Sequence, residues 1–170
     1  MSGIALSPDG KEFVAASTYH SVLYFYDRNP KTNKLTYREF IQLPFGPDNV
    51  SYDKNGRIVI AGHPNGKYVF EVAYGFREYA PSWILSVTRR KPYPKGTTFP
   101  PDDLDAPEIK VSDNIPQNPK YEYKSLYYSS GAQYSGASAA FLLDGDELIG
   151  LSLLGPGVLH CAPLSLYSTM

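Results

Sequence analysis

Ile4-Ala5-Leu6-Ser7-Pro8-Asp9-Gly10, followed by Phe13-Val14-Ala15-Ala16, sets two short apolar runs around an Asp-Gly corner. Such a phrase reads as a β-hairpin, because Asp-Gly and Asn-Gly tolerate the positive φ of a tight turn. It returns as Val50-Ser51-Tyr52-Asp53-Lys54-Asn55-Gly56, followed by Ile58-Val59-Ile60-Ala61. A third copy is Ala140-Phe141-Leu142-Leu143-Asp144-Gly145, followed by Leu148-Ile149-Gly150-Leu151. Gly10 and Gly56 lie 46 residues apart, close to the roughly 40–50 residues of one propeller blade. The next gap, Gly56 to Gly145, is 89 residues; it holds either two blades or one blade with an insertion. The repeat predicts an all-β chain of about three blades.

Working outward, a first unit of about 1–47 carries candidate strands 3–7, 12–17, 21–27 and 35–43. A second unit, about 48–130, opens at Asp48-Asn49 and continues with strands 57–62, 68–74, 82–88 and 121–129. A last, incomplete unit, 131–170, carries strands 135–143, 147–153 and 158–164. Residues 89–119 hold seven prolines and no periodicity. Proline lacks the ladder donor, so this stretch reads as a surface insertion. No window shows a sustained helical period. The whole of 1–170 is expected to be a single partial propeller domain.

Composition narrows the function. A net charge of −1 argues against a nucleic-acid or anionic-membrane surface. The basic knot Arg89-Arg90-Lys91 with Lys95 sits among prolines and reads as a solvated loop. No window reaches the roughly 18–20 apolar residues of a membrane span. No basic region or apolar core of a signal peptide follows Met1. The chain enters directly on a strand, which suggests the C-terminal half of a larger ring and leaves the compartment open. Cys161 is the only cysteine, so no disulfide closes within the chain and a Cys-rich zinc site is excluded.

Ligands of propellers bind where the inner strands begin. Those starts are Ser2-Gly3, Asp48-Asn49 and roughly 135–138. Asp48 and Asn49 place a carboxylate beside an amide carbonyl, hard oxygen donors suited to calcium. Pro47-Asp48-Asn49 also spells a turn, and from the residue types alone that reading carries more weight. His63, at a strand end before Pro64-Asn65-Gly66, either lines a pocket or closes the corner, and the corner is the commoner use. His20 and His160 are assigned no chemistry. No nucleophile elbow, zinc-protease motif, P-loop or dinucleotide fingerprint occurs.

Taken together, Gly3 through Lys11 resembles the strand phrase of the paraoxonase/arylesterase and gluconolactonase-like propellers. Pro47-Asp48-Asn49-Val50-Ser51, with Gly62-His63-Pro64-Asn65-Gly66, resembles the paraoxonase/arylesterase branch specifically. The run from Ser138 to Gly150, with Leu159-His160-Cys161, is similar to that branch's last blade. The resemblance implies a six-bladed propeller with Ca2+ in its channel that hydrolyses aryl esters and lactones. Calcium would polarise the carbonyl as a Lewis acid. It also implies calcium-site roles for Asp48 and Asn49, a pocket role for His63, and for Cys161 a disulfide to an upstream strand in secreted members. Ser2 stands where the family has a ligating Asn, and its hydroxyl reaches less far.

Calcium takes roughly six to eight oxygens, and this chain offers two or three. The expectation is a C-terminal portion of a calcium-dependent arylesterase or lactonase, poorly active alone. Its partner is a small ester or lactone, with no nucleic acid. Its open blade faces call for a missing N-terminal half or for self-association. The alternative is a non-catalytic propeller remnant or interaction module. A WD-type propeller is disfavoured, because no Trp-Asp dipeptide occurs and Trp83 sits in Ala80-Pro81-Ser82-Trp83.

Overall fold

The computed structural model describes residues 1–90, 118–144, 146–155 and 157–162. Strands β1 (Ile4–Leu6), β2 (Glu12–Ser17), β3 (Val22–Arg28) and β4 (Leu35–Gln42) form one antiparallel sheet in chain order. A second sheet joins β5 (Gly46–Tyr52), β6 (Ile58–His63), β7 (Ser82–Arg89) and β8 (Tyr121–Ser129), again in chain order. The third holds β9 (Ala137–Leu142), β10 (Leu148–Ser152) and β11 (Val158–Cys161). The first strands β1, β5 and β9 lie side by side. The fold is all-β, three meandering blades around part of an axis, with no closure of the ring among the described residues.

The repeated corners form as their residues dictate. Gly10 and Gly56 sit at φ of 71° and 79°, where a Cβ would be strained. The Asp9 carboxylate accepts from the Lys11 backbone N–H at 3.0 Å, and the Asp53 carboxylate accepts from those of Asn55 and Arg57 at 2.9 and 2.8 Å. These bonds fix each reversal and so the hairpin register. Gly145, the glycine of the third corner, lies outside the described residues, as do 91–117 of the proline-rich segment and 163–164 of the last expected strand.

Period-two alternation decides the packing. In β6, Ile58 and Ile60 face the first sheet, in a cluster with Val14, Ala16, Leu23 and Phe25. Val59 and Ala61, the intervening residues, face the third sheet with Ala140, Leu142 and Leu148. Strand β7 divides in the same way, Trp83, Leu85 and Val87 to one side and Ile84 to the other. A strand buried on both faces needs apolar residues throughout, and all six positions of β6 are buried. Each such side chain contributes about 1.5–3 kcal/mol on leaving water.

One expected strand is not a strand. Residues 68–73 belong to helix α1 (Gly66–Ala73), and Tyr74 is its C-cap. Tyr68, Val69, Phe70 and Val72 are β-favouring by type, but β6 and β7 pair directly with each other, Ile58 opposite Val87. The connecting segment therefore has no strand beside it to complete a ladder. It coils locally instead: the Asn65 side chain accepts from Lys67 N–H at 3.1 Å, capping the helix. Lys67 and Glu71 pair one turn apart at 3.4 Å. Strand β8 supplies the fourth strand of the second sheet. The 89-residue gap between corners thus holds one blade with additions, not two blades.

Candidate functional site

Asp48 and Asn49 do not form a turn. They lie inside β5, at a break in register between Pro47, opposite Gly62, and Val50, opposite Ile60. A bulge of this kind re-aims the side chains of the extra residues, and these two reach sideways to β9. The Asp48 Oδ2 accepts from Ser138 Oγ at 2.7 Å. The Asn49 amide nitrogen donates to the Ser138 carbonyl at 3.1 Å and to Asp48 Oδ1 at 3.2 Å. With its nitrogen so committed, Asn49 presents its carbonyl oxygen as an acceptor.

His63 closes β6 opposite Gly46 and is only 7% exposed. Its Nε2 stands 3.7 Å from Asp48 Oδ2, and its Nδ1 is buried with no partner among the described residues. An unpaired buried ring nitrogen is uncommon in a folded core. Burial alone would push the Asp48 carboxyl up. The neighbouring His63 imidazole and the Ser138 hydroxyl outweigh it and hold Asp48 below the ordinary carboxylate range. Asp48 is therefore an anion at neutral pH.

Two glycines allow close backbone approaches here, Gly3 between β1 and β5 and Gly62 within the β5–β6 ladder. A Cβ on Gly3 would come within 2.7 Å of Asn49 Cα and the Asp48 carbonyl, and one on Gly62 within 2.3 Å of the Gly46 carbonyl. The strand starts named from sequence thus converge at one end. Ser2 is part of the group but differently engaged: its one hydroxyl proton is shared between the Pro47 carbonyl at 3.2 Å and Thr18 Oγ1. Thr18 donates to the same carbonyl at 2.6 Å. The direct Ser138–Asp48 bond and the Thr18 contact were not anticipated. The first had a signal, since Ser138 stands one blade beyond Asp48 in the repeat; the second had none. His20 bonds Ser17 at 3.1 Å and His160 pairs with Glu147 at 3.2 Å, neither at this cluster.

As a metal cradle the donor chemistry fits a hard cation: one carboxylate and one amide oxygen, side by side. The number falls short of a full calcium shell. Among the described residues no group of three or more His, Cys, Asp or Glu side chains is gathered for a metal. Cys161 is a free thiol, pushed up by burial, beside a cleft lined by Arg57, Asp146 and Leu148.

A row of antiparallel blades with a polar cluster at the starts of its inner strands defines a protein of partial-propeller fold. More narrowly, the chain belongs to the arylesterase family: the Arylesterase family model matches residues 1–99, over half of the 170. That span includes Ser2, Asp48, Asn49 and His63. No curated protein matches the chain. The family is one of arylesterase-type hydrolases, acting on small esters. No helix among the described residues is long and apolar enough to cross a membrane.

Proposed function

We propose that this chain carries part of the hub of a calcium-dependent arylesterase or lactonase, with Asp48 and Asn49 as calcium ligands. The observation that carries the reading is the bulge in β5, which turns an ionised carboxylate and an amide oxygen out together beside His63. Bound calcium would supply Lewis-acid polarisation of an ester or lactone carbonyl. The chain's own residues do the rest. Ser138 donates to Asp48 and fixes the carboxylate's orientation, as second-layer partners of metal ligands do. Asn49 is locked by the Ser138 carbonyl. With the His63 proton on Nε2, towards Asp48, the buried Nδ1 is left as an acceptor without a partner among the described residues, and it is the atom we read as the hub's proton acceptor.

Ser2 is a weak third ligand, since its hydroxyl already serves Pro47 and Thr18. The rest of the shell comes from whatever covers the open ends of the blade row. The units of about 1–47, 48–130 and 131–170 are read as successive blades around that hub.

Phenyl acetate and a long-chain lactone are the substrates to assay, with and without calcium chloride, beside calcium titration by calorimetry. Asp48→Ala should abolish calcium binding, and Ser138→Ala should weaken it about 10–100-fold. Calcium affinity unchanged by Asp48→Ala removes these residues from the site. A calcium-free, inert protein with the same fold is the interaction-module alternative.

A further inference from the structure

We propose that Ser51 and Thr18 are positioning residues for the hub, two hydroxyls that clamp the β5 bulge from either side and so aim Asp48 and Asn49. Their effect on a metal ion rests on the calcium reading above; the clamp itself rests on hydrogen bonds between blades.

The bulge needs something to hold it. Asp48 and Asn49 have no ladder partner in β6, since the register runs from Pro47 opposite Gly62 directly to Val50 opposite Ile60. Extra residues of this kind drop out of the ladder, and the strand bends there. Pairing with β6 makes the bulge but does not fix where it points relative to the neighbouring blades. Hydroxyls on its two flanks do. On the near flank the Thr18 hydroxyl, from the turn between β2 and β3, donates to the Pro47 carbonyl at 2.6 Å. On the far flank the Ser51 hydroxyl donates to the Ala140 carbonyl of β9 at 2.7 Å. One bond ties the bulge to the first sheet and the other to the third.

Ser51 stands out by residue type. Val50 and Tyr52 pack towards the first sheet, so Ser51, between them, faces the third. Its ladder partner is Val59, and Val59, Ala61 and Ile84 make that face apolar. A serine there gives up packing that a valine would supply, and its hydroxyl needs a partner on leaving water. The partner it finds is the free edge of β9. An edge strand turns every second carbonyl away from its own sheet, and β9 is an edge of the third sheet.

Asn49 takes the Ser138 carbonyl at 3.1 Å, and Ser51 takes the next outward one, that of Ala140. Both pairs are 89 residues apart, the spacing that also separates the corners at Gly56 and Gly145. The two bonds are consecutive rungs in one register between β5 and β9. That register sets the Ser138 hydroxyl on Asp48 Oδ2 at 2.7 Å. A slip of β9 at the Ser51 rung therefore carries Ser138 away from Asp48 and Asn49 together. A hard cation needs its oxygens at fixed separations, and the groups behind the ligands set those separations.

The test uses the full chain, first without metal and then titrated with calcium chloride by calorimetry. Hydrogen exchange read by mass spectrometry reports on the clamp directly. Ser51→Ala should quicken exchange in β5 and β9 while β3 keeps its protection. It should weaken calcium binding about 10–100-fold, and Ser51→Thr, which restores the hydroxyl, should recover it. Thr18→Val should act in the same direction but less, because Ser2 still reaches the Pro47 carbonyl. Tyr52→Phe is the control: it removes another inter-blade hydroxyl bond of β5, to Glu12 at 2.6 Å, and should leave calcium affinity unchanged. Unchanged exchange in Ser51→Ala overturns the clamp. Equal losses of affinity in Tyr52→Phe and Ser51→Ala, or no recovery in Ser51→Thr, overturn the positioning role, since general loosening of the blades then explains them. Affinity kept by Ser51→Ala but abolished by Asp48→Ala overturns the positioning role and leaves the calcium reading standing. A chain that binds no calcium overturns the calcium reading and the metal role of the clamp, and exchange alone then decides the clamp.

Discussion

Asp48 shows how a single side chain is set by its surroundings. Its carboxyl is partly removed from water, which would favour the neutral form, but His63 and Ser138 favour the anion more. The folded protein therefore holds this carboxyl below its ordinary value of 3.8. A depressed carboxyl contributes stability that is fully present above the unfolded value and lost as pH falls through the folded one. Urea unfolding of the protein and of Asp48→Asn should differ by a constant amount between about pH 5 and 8. The difference should shrink below pH 3.8, the unfolded reference for this group. A gap that stays constant into strong acid would mean that Asp48 gains nothing from its neighbours. The same residue was legible from sequence as an oxygen donor at an inner-strand start. Its contacts were not, because a bulge is set by the pairing of β5 with β6 and not by the residues of β5.

At the scale of elements, α1 is the instructive one. Tyr68, Val69, Phe70 and Val72 are β-favouring by type, and strand formation is decided by whether a neighbouring backbone is in reach. None is, so the local signals win: the Asn65 cap, the Lys67–Glu71 pair and the Arg77 guanidinium, 3.6 Å from the Tyr68 ring centroid. Asn65→Ala removes the cap and should cost about 1 kcal/mol of local helix stability. Hydrogen exchange should then quicken in 66–73 while β6 and β7 keep their protection. Equal loss of protection across all three elements would show that the helix is part of the core, contrary to its lack of any buried residue. The hairpin corners behave oppositely. There Asp-Gly and Asn-Gly carry the whole instruction, and reading them in isolation gave the correct chain reversals.

For the molecule as a whole, apolar burial between sheets outweighs the ions that also bridge them. Lys54 pairs with Asp144 at 2.7 Å, and Arg57 with Asp146, between the second and third sheets. Lys54 and Asp144 are largely exposed, and such pairs contribute about 0–1 kcal/mol. Ile60, by contrast, is fully buried between the first two sheets. Ile60→Ala should cost about 2–5 kcal/mol in denaturant unfolding, and Asp144→Ala less than about 1 kcal/mol. Comparable losses from the two would reassign the glue between blades from burial to charge.

The amino-acid sequence by itself determined that the chain is all-β and blade-like, that its reversals fall at the glycine corners, and that oxygen donors stand at inner-strand starts. Those are short-range properties: side-chain alternation, turn chemistry and residue type act within a few positions. Only the tertiary structure decided that 68–74 has no strand to pair with, that β8 completes the second blade, and that Asp48, Asn49, Ser138 and His63 form one cluster. Asp48 and Ser138 are far apart along the chain, and only the stacking of complete blades brings two such inner strands within hydrogen-bond reach.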